Sequence, residues 1–275
     1  MQNAGIAALG LTWRYLAFEV KPEDLESAIA GARTMHFLGL NLTVPHKLLA
    51  FEMVDVLDES AKKWGAVNTI RFEGRSGSGE WKPLREFTET PDEIQSQGFN
   101  TDADAITRSL REDPGIDVQG GKVLLLGAGG AGRTAALKMA SDGASEIFLV
   151  NRTASKAEDL AEEIHNRFPL AKVTVGYPAG AVDLLLNATS LGLKGDDPIP
   201  LDESKFSIAK AGAVYDMIYR PAATRLLISA KAAGCRTSNG IGMLLYQGTA
   251  ALEIWTGQPA PVEVMRDALL KEVYG

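Results

Sequence analysis

Lys47 is a strong cation placed where a helix should begin. It closes the stretch Leu40-Asn41-Leu42-Thr43-Val44-Pro45-His46-Lys47, which reads as a short buried strand running into a proline. Pro45 suits the first helical position, which puts Lys47 in the first turn, near the positive end of the helix dipole. A cation there is disfavoured by roughly 0.3–1 kcal/mol, a placement that suits a proton-transfer group. Taken alone, the segment fits a surface lysine better. Two further segments change that balance. Asn68-Thr69 ends the apolar stretch Gly65-Ala66-Val67, and Asn100-Thr101-Asp102 stands where a loop gives way to a helix. Asp102 has an N-cap reading of its own. A lysine, an asparagine and an aspartate at strand-to-helix edges of one α/β domain nevertheless suit an alcohol-oxidising site. Lys47 would move the hydroxyl proton, Asp102 would hold and polarise the pair, and Asn68 would orient a polyol.

A second constellation is Gly127-Ala128-Gly129-Gly130-Ala131-Gly132, which matches G-x-G-x-x-G. Alone the pattern fits any flexible turn. Here it follows the strand Val123-Leu124-Leu125-Leu126 and opens a helix, the context in which glycines let a backbone approach a pyrophosphate. The helix N-terminus adds N–H groups and a positive dipole end. An NAD site usually carries Asp or Glu about 20 residues on, to accept from the ribose 2′-hydroxyl. This chain has Asn151-Arg152-Thr153 after its second strand, with Lys156 one helical turn beyond. A guanidinium can fork onto a 2′-phosphate, and Asn151 avoids the repulsion of a carboxylate, so NADP is expected over NAD.

The bulk numbers narrow the class. A chain of 275 residues, 45% hydrophobic and 23% charged, is long enough for two domains with ample core. A net charge of −7 without clustered Lys and Arg argues against a nucleic-acid binder. The single cysteine, Cys235, fits a reducing compartment, and the scattered His36, His46 and His165 lack ligand spacing, so no metal is assigned. The opening apolar residues are too short to span a bilayer and carry no basic leader. A cytoplasmic protein with a small-molecule substrate is expected.

The elements that must position these residues alternate between strand-like and helix-like patches, the signature of a parallel α/β architecture. Strands are expected at 14–20, 39–44 and 66–72, with helices over 22–35 and around Leu48–Val54. Residues 73–97 read as a hairpin tip or surface excursion. Helix pattern resumes at Asp102, and a boundary falls near Pro114-Gly115. The second run is more regular. Strands are expected at 122–127, 146–150, 182–189 and 213–218, with helices over 130–141, 155–168 and 223–233. Residues 242–257 and 261–274 read as purely helical.

Taken in order, NLTVPHK, GAVNTI, GFNTD, GAGGAG, NRT, NATSLG, YDMIYRPAAT and GMLLYQG resemble the motifs of the shikimate dehydrogenase family, across nearly the whole chain. The resemblance implies reversible NADP-dependent reduction of 3-dehydroshikimate to shikimate, in aromatic amino-acid biosynthesis. It implies an N-terminal α/β substrate domain, residues 1–104, completed by C-terminal helices 240–275, and a Rossmann-like NADP-binding domain at 105–239. Carried over by position, Lys47 and Asp102 are the catalytic pair. Thr43, Asn68, Tyr219 and Gln247 contact the substrate. Gly127, Ala128, Gly129, Gly130, Ala131, Gly132, Asn151, Arg152, Thr153 and Lys156 hold the cofactor, with Thr189, Met217 and Gly240 toward its nicotinamide side. A monomer or homodimer is expected.

The chain departs from the family in three places. Members begin with a strand and a serine loop, approximately S-x-S-P, that binds the substrate carboxylate, whereas this chain resembles the family from just after that loop. The expectation is a start set too far downstream, or weakened folding and substrate binding. The 73–97 excursion is longer than the usual hairpin, and Ala103 replaces a common glycine. A paralogue acting on quinate often uses NAD, with an acid after the second strand, which Asn151-Arg152 opposes. A non-catalytic NADP-binding relative draws support only from the missing serine loop.

Overall fold

The computed structural model describes all 275 residues. They form two compact units, Met1–Asp102 with Leu245–Val273 and Gly275, and Ala103–Leu244 with Tyr274.

The first unit opens with α1 (Gln2–Ala8) and α2 (Leu25–Thr34). Between them, residues 14–20 form no strand, against the expectation from their alternation. Alternation satisfies one face, but a strand also needs a neighbour for its backbone groups. Asn3 takes that part at one point, its side chain pairing with both the N–H and the carbonyl of Tyr15. Leu16 and Phe18 stand 66% and 63% exposed. Next come β1 (Gly39–Asn41), α3 (His46–Met53), β2 (Val56–Leu57), α4 (Glu59–Trp64), β3 (Thr69–Arg75), β4 (Lys82–Pro83) and β5 (Glu93–Phe99). β1 stops three residues short of the expected strand. Pro45 occupies the N-cap position rather than the first helical one, so α3 begins at His46, and Lys47 is its second residue. α4 is bounded by Asp58, which accepts from Ser60 N–H, and by left-handed Gly65.

The sheet runs β1-β3-β5-β2, with β4 added to β3. β3 and β5 are antiparallel from Thr69↔Phe99 to Arg75↔Glu93, so the 73–97 excursion is a hairpin connection whose two ends belong to strands. Glu-Ile-Gln-Ser-Gln-Gly-Phe is too polar to reveal this alone. Ile70, Phe72 and Val67 point into a core with Leu25, Ile29, Ala50 and Ala61.

α5 (Asp102–Glu112) leads into the second unit. Its elements are β6 (Lys122–Leu126), α6 (Gly130–Ser141), β7 (Glu146–Val150), α7 (Ala154–Arg167), β8 (Lys172–Val175), β9 (Val182–Asn187), β10 (Ala211–Asp216), α8 (Arg225–Ala232) and β11 (Arg236–Asn239). All six strands are parallel, in the order β8-β7-β6-β9-β10-β11. Counted within the unit this is 3-2-1-4-5-6, the doubly wound arrangement whose strand order reverses between its first and fourth strands. Leu124, Leu126, Leu185 and Val214 fill its core. β8 and β11, the two edge strands, have no counterpart in the expected pattern because they are short and half-polar. α9 (Ile241–Thr256) and α10 (Val262–Tyr274) follow. In the first unit Trp255 Nε1 of α9 donates to Ile70 O at 2.9 Å, and a Cβ on Gly5 would meet Leu252 and Met265 within 2.8 Å. α1, α9 and α10 thus pack tightly together.

Candidate functional site

In the first unit the structure joins Lys47 to Asp102. Lys47 Nζ donates to Asp102 Oδ2 at 2.7 Å, with the side chains 26% and 11% exposed. The backbone fixes both ends of this pair. Lys47 O accepts from Val67 N–H at 2.9 Å, tying the first turn of α3 to the segment before β3. Asn100 Oδ1 accepts from Asp102 N–H at 3.1 Å. Asp102 is the first residue of α5, and its carboxylate turns to Lys47.

Asn68 sits beside this pair in the network rather than in open space. It is 1% exposed. Its Oδ1 accepts from Thr101 N–H at 2.9 Å and from the Thr69 hydroxyl at 3.1 Å, while Nδ2 donates to Thr101 Oγ1 at 2.9 Å. The chain of bonds continues outward. Asn41 Nδ2 donates to Thr69 Oγ1 at 3.0 Å, and the Tyr15 hydroxyl donates to Asn41 Oδ1 at 3.0 Å. Burial pushes the Tyr15 hydroxyl above its ordinary value. Thr101, Asn41 and Tyr15 were not singled out from the sequence. Thr101 and Asn41 lie inside the quoted stretches around Asp102 and Lys47, and nothing local marks Tyr15. Thr43 is exposed in the turn before α3, and Gln247 is half-buried on α9, both in this unit. Tyr219 belongs to the second unit, 38% exposed, on the segment between β10 and α8.

In the second unit the glycines divide the labour. Gly127 ends β6 with φ +104°, and a Cβ there would meet Ala188 O at 3.0 Å. A Cβ on Gly132 would lie 2.0 Å from Gly127 O, so only glycine lets α6 start so close to the strand. Gly129 and Gly130 are exposed, with nothing within 4 Å of where a Cβ would be. That leaves an open cradle over the first turn of α6, which carries no acidic residue and no side-chain cap. An anionic pyrophosphate fits this cradle in both shape and charge.

Asn151 follows β7 and binds the two loops together. Its Oδ1 accepts from Ala128 N–H at 3.0 Å and its Nδ2 donates to Thr153 O at 2.8 Å. Arg152 and Lys156 are exposed, form no ion pair with an acid, and flank a helix start that lacks acidic residues. Their arrangement suits a phosphate on the adenosine ribose. Thr189 is half-buried just beyond β9, and Met217 just beyond β10. A Cβ on Gly240 would meet Met217 O at 2.1 Å, so Gly240 permits two backbones to touch.

A glycine loop at the reversal point of a 3-2-1-4-5-6 parallel sheet marks a dinucleotide-binding α/β protein. Comparison with known proteins sharpens this. Residues 1–70 match a shikimate dehydrogenase substrate-binding domain, residues 110–190 a shikimate/quinate 5-dehydrogenase domain, and residues 240–270 a shikimate 5′-dehydrogenase C-terminal domain. A shikimate dehydrogenase (NADP(+)) of Methanopyrus kandleri is 40% identical over 99% of this chain and 90% of its own length. A crystal structure of a shikimate dehydrogenase in complex with NADP+ superposes with a TM-score of 0.83 at 34% identity, covering 99% of this chain and 90% of that one. The enzyme of Thermus thermophilus, in complex with NADP(H) and shikimate, gives 0.79 at 32% identity over 98% and 92%. The chain belongs to the shikimate dehydrogenase family.

Proposed function

We propose that this protein catalyses the reversible, NADP-dependent interconversion of 3-dehydroshikimate and shikimate. The observation that carries the chemistry is the Lys47–Asp102 pair at 2.7 Å, partly open to solvent and held by backbone contacts on both sides. When bound, the nicotinamide exchanges a hydride with the substrate carbon that carries the hydroxyl. In the oxidising direction the neutral Lys47 amine receives the hydroxyl proton, and in the reducing direction the Lys47 ammonium returns one to the carbonyl oxygen. Asp102 fixes the lysine tip within reach of that oxygen and offsets its charge. Thr43, Asn68, Gln247 and Tyr219 contact the substrate's hydroxyls and ring substituents in this reading. For Asn68 the second N–H of Nδ2 is the group to offer, since Oδ1 is taken by Thr101 and Thr69.

The glycine loop from Gly127 to Gly132 holds the pyrophosphate, and Arg152 with Lys156 holds the 2′-phosphate. Their freedom from acidic partners supports that reading. The first unit acts as the substrate domain and the second as the cofactor domain. The direct test is product identity. Incubating 3-dehydroshikimate with the protein and NADPH should yield shikimate, with one NADPH consumed per molecule formed, as read by NMR and absorbance. A product other than shikimate, or NADPH loss without product, would contradict the assignment.

A further inference from the structure

The carboxyl ends of β9 and β10 carry a second polar cluster. Asp216 and Asn187 are wholly buried, and Thr224 is 2% exposed. Both oxygens of Asp216 are held. The Thr224 hydroxyl donates to Oδ2 at 2.6 Å, while Asn187 Nδ2 and Ile218 N–H donate to Oδ1 at 2.9 and 3.1 Å. Burial pushes the carboxyl above its ordinary value, and these three donors pull the other way.

An ionised carboxylate only accepts, so the Asn187 amide turns Nδ2 toward Asp216, at 2.9 Å, and toward Leu191 O, at 3.3 Å, with Oδ1 away from both. Oδ1 then accepts from both the N–H and the hydroxyl of Thr189, at 3.0 and 2.8 Å. That commits the one proton of the Thr189 hydroxyl. Leu191 N–H donates to its oxygen at 3.1 Å, which leaves Thr189 Oγ1 one lone pair and nothing to donate. The backbone of Asn187 also reaches β10, because Asn187 O accepts from Met217 N–H at 3.0 Å.

Position gives this relay its meaning. Thr189 packs on the glycine loop, since a Cβ on Gly127 would lie 3.0 Å from Thr189 Cγ2. Arg152 follows β7, on one side of β6, whereas Thr189 and Met217 follow β9 and β10, on the other. A dinucleotide whose pyrophosphate crosses the loop, with its adenosine phosphate toward Arg152, lays its nicotinamide half toward Thr189. We propose that Asp216 and Asn187 are positioning residues that fix the Thr189 hydroxyl as a hydrogen-bond acceptor for the carboxamide N–H of the nicotinamide. This rests on the reading that the second unit binds NADP.

The test is calorimetric binding of NADP and of 2′,5′-ADP, which keeps the phosphorylated adenosine but lacks nicotinamide. In Asp216→Asn the acceptor that holds the Asn187 amide loses its charge, which leaves the longer bond to Leu191 O as the amide's other anchor, and NADP affinity should fall about tenfold. Affinity for 2′,5′-ADP should stay within about twofold. Asn187→Ser, small enough to fit and too short to bridge Asp216 and Thr189, should give the same split, and it decides the matter if Asp216→Asn does not fold. Thr189→Val should also weaken NADP alone, with no further loss when Asp216→Asn is added. Equal losses for both ligands, no loss for NADP, or additive losses in the double variant would overturn the relay. If the unsubstituted protein bound neither ligand, the cofactor reading would fall, and the relay with it.

Discussion

Lys47 and Asp102 come from segments 55 residues apart, and their contact puts a proton-transfer role within reach of experiment. Lys47→Ala should lower kcat by about 10²–10⁴-fold, the span of general acid–base catalysis, while NADP affinity stays put. An unchanged kcat would rule the lysine out as the proton carrier. Arg152 belongs to the other chemistry. Arg152→Ala removes an unpaired guanidinium from the helix start after β7, so KM for NADP should rise by roughly tenfold. The preference for NADP over NAD should narrow with it. A preference that survives the substitution would move the phosphate site elsewhere. Single residues were legible to different depths. The lysine, the aspartate and the glycine loop stand out because unusual residue types occupy recognisable places. The enclosure of Asn68 by Thr101 and Thr69 depends on contacts from three segments, and no local pattern encodes it.

At the scale of elements, the parallel sheet of the second unit was legible because its inner strands are buried on both faces and read as short apolar runs, as in residues 123–126 and 184–186. The first unit resists such reading. β5 is polar at most positions and is defined by pairing with β3, while residues 14–20 alternate like a strand yet find no partner strand. Pairing is a property of two segments, and periodicity reports only one. Helices α6 and α7 offer a test of how charge joins elements. Glu163 of α7 accepts from Arg133 of α6 at 2.6 and 2.8 Å, and from Arg167 one turn on at 2.9 Å. Desolvation pushes the Glu163 carboxyl up, but the hydrogen bonds and charges of the two arginines outweigh it and hold the group below its ordinary 4.5. A depressed folded value means the ionised form stabilises the fold above the unfolded value, and that contribution is lost as pH falls through the folded one. Glu163→Gln should therefore lower stability by roughly 0.5–1 kcal/mol near neutral pH, and the gap should close in acid. Urea unfolding at neutral pH and below about pH 4 would show it, roughly the range set by ordinary carboxyl values. A gap that stayed constant across that range would assign the effect to packing instead.

For the molecule as a whole, the proposed reaction draws on two units: the first holds the Lys47–Asp102 pair, and the second carries the glycine loop. No helix is long and apolar enough to cross a membrane, and no group of three or more acidic, histidine or cysteine side chains is placed to hold a metal ion. The alternation of elements made two α/β units legible from the sequence, but the return of the chain through α9 and α10 to the first was implied only by the family resemblance. The membership of the first unit depends on which helices pack on which sheet, a question of three-dimensional contact. Substrate and cofactor are chosen together, so the decisive measurement offers both choices at once. Formation of reduced cofactor should be followed by absorbance with shikimate and with quinate, each supplied with NADP and with NAD. Rapid turnover is expected with shikimate and NADP, with a much lower kcat/KM for the other three pairs. Turnover led by quinate or by NAD, or clear NADP binding with no turnover of shikimate, would contradict it.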